Sequence, residues 1–371
     1  VKNKRMPIYM DVHIVPGVKA KDVATAHKKD LLRQQEFGCT AMTYWVDEER
    51  ETIFCLIDAP DKDAVKEMHR NAHGLIPHKI IEVSKTVVRS FLGRIYDPES
   101  VEISEEGLPV FSDSSFRILL LTKITDPNLL HFQFGIEKAN QLLDSHNKII
   151  RSNMRRHGGR EVEHEGNNFI ISFSSAAKAL ACAFDIDQEM QKSHAEDFTF
   201  RMGINAGEPV QLSNELFGDT IGFANTMCFI AANYQIAVAS AVKELVAKDF
   251  FNNNSKKLLT LTPQDEKLLK LLFGELEEKW QNAHFHLADY CKATAMSASQ
   301  LYRKTVALTG LSPNILLKEF RLERAKDLMR KQAYNIAQIT FDSGFTSASY
   351  FTKCFKKKFG LLPMTYLELL H

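Results

Sequence analysis

The sequence predicts a multidomain chain, α/β through its first two parts and all-α in its tail. Three observations carry that reading. At 371 residues the chain is too long for one compact core and long enough for three domains. Strand and helix patterns alternate as far as about residue 250, after which only helical patterns recur. Charge divides along the same line: from Phe285 onward there are 13 Lys and Arg against 6 Asp and Glu, a net +7, whereas the remainder holds 34 against 40, a net −6. A near-neutral whole therefore conceals a basic tail on an acidic body. The expected parts are a ferredoxin-like module (1–95), a linker (96–115), an α/β sandwich (116–250), a connector (251–284) and a tandem helix-turn-helix domain (285–371).

Hydrophobic content of 44% and charged content of 25% are ordinary for a globular protein. No apolar run approaches the roughly 20 residues that cross a bilayer, and the N-terminus lacks a signal-peptide core. The six cysteines (39, 55, 182, 228, 291 and 354) are scattered, with no CxxC pair. They read as reduced, mostly structural thiols of a cytoplasmic protein that does not engage a membrane.

The first part runs strand, helix, strand, strand, helix, strand. Ile8 to Val15 alternates as a strand and stops at Pro16-Gly17. Lys21 to Phe37 has helical periodicity, with Val23, Ala26, Leu31 and Leu32 as its apolar side. Thr40–Val46 and Thr52–Ile57 form a hairpin across the charged Asp47–Glu51. Asp61, after Pro60, starts a second helix to Ala72, and Lys79–Val83 is the last strand. This is the split βαβ order of a ferredoxin-like sandwich.

His69 and His73 stand at i and i+4, so one helix face presents two imidazoles to one metal ion. His13, with Asp11 on the same face of the first strand, offers further donors. The same side chains would also serve to hydrogen-bond around a pocket or to hold another small ligand. Met10-Asp-Val-His, Thr43-Tyr-Trp, Phe54-Cys-Leu-Ile-Asp-Ala-Pro and His69-Arg-Asn-Ala-His-Gly resemble a small domain family described as nickel-binding. That resemblance implies a ferredoxin-like fold that tends to dimerise, with His13, His69 and His73 as metal ligands. Imidazole suits nickel, zinc or copper alike.

Glu99 to Ser115 is acidic, rich in Ser and Pro, and aperiodic, so it reads as a linker. Phe116-Arg-Ile-Leu-Leu-Leu-Thr then starts a buried strand. A long helix is expected from Leu129 to His157, apolar through Leu142, Leu143, Ile149, Ile150 and Met154. Gly158-Gly159 turns the chain into a strand pair around Gly166–Phe173. A helix from Ser174 to Ser193 precedes the strand Thr199–Asn205.

His157-Gly-Gly-Arg-Glu-Val, Phe169-Ile-Ile-Ser-Phe, Phe200-Arg-Met-Gly-Ile-Asn-Ala-Gly-Glu-Pro, Leu216-Phe-Gly-Asp-Thr-Ile and Ser240-Ala-Val-Lys-Glu-Leu-Val resemble the catalytic domain of class III adenylate and guanylate cyclases. The resemblance implies a dimerising, cyclase-like α/β sandwich, but its chemistry does not carry over. Such cyclases hold two metal ions on two carboxylates. The first falls at Lys123 and the second at Asn167, so an ammonium and an amide replace them. The base-selecting Lys falls at Glu163, and the transition-state Asn and Arg fall at Gly222 and Thr226. No catalytic residue is therefore assigned. The domain is expected to bind a small molecule or to serve as a rigid dimer scaffold.

After Asn252-Asn-Asn-Ser, a joint, Gln264–Trp280 reads as an amphipathic connecting helix. The tail then repeats one plan twice: a short helix, a turn, a second helix. Ser297 and Ser347 open the second helices, Ser297 as an N-cap. Pro313 opens a long helix between the two units, with Arg321, Arg324, Lys326 and Arg330 along it. Each second helix is suited to a major groove. Ser297, Ser299, Gln300, Arg303 and Lys304 of the first unit, and Ser347, Ser349, Tyr350 and Lys353 of the second, are the expected base-reading set. Lys356, Lys357 and Lys358 are better placed for phosphate.

Ser299-Gln-Leu-Tyr-Arg-Lys, Leu308-Thr-Gly-Leu-Ser-Pro-Asn, Arg321-Leu-Glu-Arg-Ala, Gly344-Phe-Thr-Ser-Ala-Ser-Tyr-Phe and Phe355-Lys-Lys-Lys-Phe-Gly-Leu-Leu-Pro resemble the AraC family of transcription regulators. Gln338 stands where the family often has Glu, and Val306 where a basic residue is usual. The resemblance implies a regulator that binds double-stranded DNA as a homodimer and answers to a metal or small-molecule effector. A nucleotide cyclase fused to a DNA-binding domain, and a constitutive DNA-binding scaffold, are the alternatives.

Overall fold

The computed structural model describes residues 6–99, 101–105, 107–162, 168–194, 198–247, 250–251, 257–331 and 335–370. The chain divides into two compact units. One comprises Val1–Leu121, Arg151–Phe184 and Ile204–Ala224; the other comprises Thr122–Ile150, Asp185–Gly203 and Asn225–His371.

In the first unit, strands β1 (Ile8–Ile14), β2 (Thr40–Asp47), β3 (Thr52–Asp58) and β4 (Lys79–Val83) form one sheet in the order β2-β3-β1-β4. Every pairing is antiparallel, with Met10 opposite Leu56 and Ile81. Helices α1 (Ala20–Arg33) and α2 (Lys62–Ala72) complete the ferredoxin-like order. The Asp61 carboxylate accepts from the Ala64 amide at 2.8 Å and so starts α2. Met10, Trp45, Phe54, Leu56, Val65 and Met68 are fully buried. Removing such apolar surface from water is the main force holding the layers together.

Two expectations fail here for tertiary reasons. Leu31 and Leu32 do not lie on the buried side of α1; they are 42% and 74% exposed. Its inward face carries Val23, Ala24, His27 and Asp30 instead, because the polar pair meets partners from other elements. The acidic Ser/Pro segment is not a bare linker. Glu102–Ile103 (β5) and Pro109–Val110 (β6) form an antiparallel ribbon. Phe111 then stacks on Tyr44, with ring centroids 4.1 Å apart. An unforeseen helix, α3 (Lys85–Leu92), sits between module and ribbon, capped by Ser84. Arg117 donates to the carbonyls of Phe91 and Leu92, which ties down the C-terminus of α3.

A second sheet contains β7 (Arg117–Ile124), β8 (Arg160–Val162), β9 (Ile170–Phe173), β10 (Phe200–Gly207), β11 (Ile236–Val238) and β12 (Leu258–Thr260). Their order is β12-β11-β10-β7-β9-β8. The β7–β9 and β8–β9 pairs are antiparallel, and β11–β12 is parallel. The expected single helix over 129–157 is two helices, α4 (Pro127–Phe134) and α5 (Ile136–Arg156). Gly135, at φ +79°, breaks them apart. Helices α6 (Ala176–His194), α7 (Gly218–Ile230) and α8 (Ser240–Glu244) follow. The Asn252–Ser255 joint, Glu163 and Asn167 lie outside the described residues.

In the second unit, α9 (Pro263–Lys279) starts with a Thr262–Asp265 capping box and buries Leu268, Leu269, Leu272 and Leu276. The tail holds α10 (Leu287–Thr294), α11 (Ala298–Thr309), α12 (Pro313–Arg330), α13 (Ile336–Asp342), α14 (Ala348–Phe359) and α15 (Pro363–Glu368). Ser297, Ser312, Asn335 and Ser347 cap four of them with side-chain oxygens. Leu322, Ala325, Met329, Ile339, Phe351 and Phe355 form the core of the second half. Gly344 must be glycine: its φ is +73°, and a Cβ there would meet the Trp280 carbonyl at 2.4 Å. Arg321 donates to that same carbonyl at 2.8 Å, so the connector and the long helix converge on this turn.

Candidate functional site

Two sets of residues carry chemistry. The first is the pair of helices α11 and α14. Ser297, Ser299, Gln300, Arg303 and Lys304 are all exposed, as are Ser347, Ser349, Tyr350 and Lys353. Arg303, Lys304, Lys353, Lys356 and Lys357 have no ion-pair partner among the described residues. Gln300 is partly engaged, since its Oε1 accepts from the Ser297 amide and hydroxyl in a capping box. Lys358 departs from expectation. It is half-buried, with Nζ 2.8 Å from Glu319 and 2.9 Å from Glu323, so it braces α12 rather than projecting with its neighbours.

The long helix α12 is also engaged by an acid that sequence reading overlooked. Asp126 caps α4 by accepting from the Asn128 amide at 3.0 Å. Its carboxylate also accepts from Tyr366 at 2.6 Å and from Arg330, with Lys326 Nζ at 3.5 Å. The Asp126 side chain is 1% exposed. Burial works against its charge, yet Lys326 and Arg330 outweigh that and hold it below the usual carboxylate range.

The second set lies in the N-terminal module. Strand β1 contributes Asp11 and His13, α1 contributes Asp30, β3 Cys55 and α2 His69, and His73 follows α2 as its C-cap. Asp11, His13, Cys55 and His69 place one donor atom each within 4.8 Å of one another, and so do Asp30, His69 and His73. His69 links the groups: Nε2 lies 2.9 Å from Asp11 and Nδ1 lies 3.1 Å from Asp30. Burial opposes a charge on His69, but the two carboxylates, Asp11 first, push its pKa up to about 10. His69 and His13 in turn hold Asp11 well below the usual range, against the effect of burial. Burial, then Asp11, keeps the Cys55 thiol well above its ordinary value.

Donor types and spacing fit a divalent transition metal: imidazole, thiolate and carboxylate within one ion's reach. Binding would release the proton that His69 carries between its two acids and the proton of the Cys55 thiol. His73 stands with His69 and Asp30 in the second group, and its Nδ1 accepts from the Leu75 amide at 3.2 Å. Its Nε2 lies 3.2 Å from Asp30 Oδ1 and 3.0 Å from His69 Nδ1. Asp30 and Cys55 went unread in sequence. The one local signal was the His27/Asp30 pair at i and i+3 on a single face of α1.

In the second sheet's domain, Lys123 sits on β7, and Gly222 and Thr226 sit on α7. A Cβ at Gly222 would meet nothing within 4 Å. No described helix is long and apolar enough to cross a membrane.

Comparison with known proteins agrees part by part. Residues 9–83 match the family "Nickel responsive protein SCO4226-like". Residues 119–272 match "Adenylate and Guanylate cyclase catalytic domain", and residues 290–368 match "Helix-turn-helix domain". The chain is thus similar, part by part, to a nickel-responsive family, a cyclase catalytic domain and a helix-turn-helix domain.

Histidine kinase P4 of Formosa agariphila is 37% identical over 108 residues, 29% of this chain and 8% of that protein. The HTH-type transcriptional activator RhaR of Yersinia pseudotuberculosis is 32% identical over 111 residues, 29% of this chain and 37% of RhaR. This chain therefore spans about a third of RhaR and less than a tenth of the kinase. Among solved structures, the adenylate/guanylate cyclase/hydrolase from Silicibacter pomeroyi overlaps 38% of this chain and 81% of its own, with 23% identity and a TM-score of 0.32.

Proposed function

We propose that this chain is a sequence-specific DNA-binding transcription regulator of the AraC type. The observation that carries the reading is the matched pair of capped helices, α11 and α14, at either end of α12. Both present short polar side chains and uncommitted cations to solvent. Docked in successive major grooves, about 34 Å apart on one face of DNA, they would read bases through Ser297, Ser299, Gln300, Arg303 and Lys304, and through Ser347, Ser349, Tyr350 and Lys353. Lys356 and Lys357 would meet phosphates.

In this reading the regions before the tail sense an effector, dimerise the chain, or do both. The N-terminal module takes nickel or another divalent transition metal on Asp11, His13, Cys55 and His69, with His73 behind His69. The protein acts in the cytoplasm as a homodimer, and an effector works by favouring one arrangement of the tail over another.

The match over residues 119–272 favours a second reading, a nucleotide cyclase. An ammonium at the first metal position, Lys123, argues against it, because that chemistry needs a carboxylate to hold the ion.

The test is binding of the purified chain to fragments of its own upstream DNA against random DNA, near physiological salt, with and without nickel or zinc. Preference for one fragment is expected, and a shift with metal would make the first module the sensor. Equal, salt-sensitive binding to every fragment would overturn the regulator reading.

A further inference from the structure

His69 faces donors on both sides of its ring. On one side Nε2 lies 2.9 Å from Asp11 Oδ2, within the set Asp11, His13, Cys55 and His69. On the other side Nδ1 meets a different set. Asp30 Oδ1 lies 3.1 Å from it and His73 Nε2 lies 3.0 Å from it, while those two atoms are 3.2 Å apart. The two nitrogens of an imidazole point away from each other in the ring plane, so one ion cannot bond to both. Asp30 and His69 are 3% and 1% exposed, and His73 is nearly as enclosed.

Asp30 Oδ1, His69 Nδ1 and His73 Nε2 make a nearly equilateral triangle. Donors held about 2.0–2.2 Å from one ion, at right or tetrahedral angles, stand about 2.8–3.6 Å from each other. All three edges fall in that range. Hydrogen bonds explain the triangle less well. If both nitrogens donate to Asp30 Oδ1, two N–H groups confront each other across the remaining 3.0 Å. An ion bonded to all three atoms removes that conflict, and two imidazoles with one carboxylate are donors that divalent transition metals accept.

Charge points the same way. A single dication in the first set is matched by Asp11 and the Cys55 thiolate. His69 is then neutral, and Asp30 stays buried with no cation beside it, which is costly. A second dication restores the balance, because two carboxylates, one thiolate and one deprotonated ring then face two ions.

We propose that the module holds two divalent metal ions, the second on Asp30, His69 and His73, with the His69 ring bridging them as an imidazolate. This inference rests on the metal reading above. His69 gives up its Nε2 proton, and Cys55 its thiol proton, to solvent when the first ion binds; His69 gives up its Nδ1 proton when the second does. His73 sets the order of filling. Its Nδ1 accepts from the Leu75 amide, and an ion on Nε2 puts the ring proton on Nδ1, so that bond is given up. The second ion should therefore bind more weakly than the first.

The experiment titrates the full chain, stripped by a chelator, with Co²⁺. Equilibrium dialysis counts bound ions, near-ultraviolet thiolate-to-cobalt absorption reports the Cys55 side, and low-temperature EPR reports coupling between the ions. Wild type should take up two ions per chain, the second at least tenfold more weakly, with the thiolate absorption complete after the first. An imidazolate bridge couples the two spins, so EPR intensity per ion should fall as the second binds. Asp30→Asn and His73→Ala should each hold one ion and keep the thiolate absorption, which also shows that the module is folded. One ion per wild-type chain, or two in either variant, overturns the second position and leaves the metal reading standing. Two ions with undiminished EPR intensity per ion overturns the bridge. No Co²⁺ uptake by wild type, or uptake without thiolate absorption, overturns the metal reading and this inference together.

Discussion

The hydroxyl of Tyr366 donates to Asp126 Oδ2 at 2.6 Å, joining residues 240 apart in sequence. Arg330 reaches the same oxygen, and Lys326 lies 3.5 Å from it. One buried carboxylate thus fastens α4 to both α12 and α15. Asp126→Ala should destabilise the chain by about 3 kcal/mol, the scale for leaving a buried ion pair half-removed, and should accelerate proteolysis of the tail. Unchanged melting temperature and cleavage rate would refute the fastening.

The same node predicts a pH dependence. The pKa of Asp126 is lowered in the fold, so its stabilising effect is complete above the unfolded value of about 3.9. It is lost as pH falls through the lower folded value. The gap in melting temperature between wild type and Asp126→Asn should therefore be constant from pH 7 to 5 and shrink below about pH 4. A gap that widens in acid would contradict the assignment.

The lysine run separates binding from bracing. Lys357→Ala should weaken DNA of every sequence similarly and lower the salt slope by about one. Arg303→Ala or Lys353→Ala should relax preference at particular base pairs, costing about 1–3 kcal/mol of discrimination. Lys358→Ala should instead lower thermal stability, because its partners are Glu319 and Glu323. Site preference left intact by both Arg303→Ala and Lys353→Ala would count against the groove assignment.

Gly344→Ala should destabilise the tail by at least about 2 kcal/mol, since positive φ and a clash with the Trp280 carbonyl act together. Chemical denaturation checks this, and a neutral result would mean that the turn is looser than described.

His69→Ala should remove metal uptake measured by equilibrium dialysis with Ni²⁺, whereas His73→Ala should only weaken it. Equal uptake by wild type and His69→Ala would exclude the centre.

Much of this architecture was legible from local signals. The split βαβ order is written in strand alternation between Ile8 and Val83. The caps Asp61, Ser297 and Ser347 stand immediately before the helices they start. The candidate centre was half legible: the i, i+4 pair His69/His73 was visible, but Asp30 and Cys55 were not. Nothing local distinguishes an acid on an amphipathic helix from a solvated one.

Sequence by itself therefore determined the three modules, their order and the residues that the two tail helices offer to solvent, because hydrophobic period, capping and turn chemistry act over a few residues. Tertiary structure alone decided which groups are paired. It set His69 between acids 58 and 39 positions away, turned Lys358 inward, stacked Phe111 on Tyr44 and buried Asp126 beneath Tyr366. Those outcomes depend on which elements meet across the fold, and an ionisable side chain takes its charge and role from the partners it meets there.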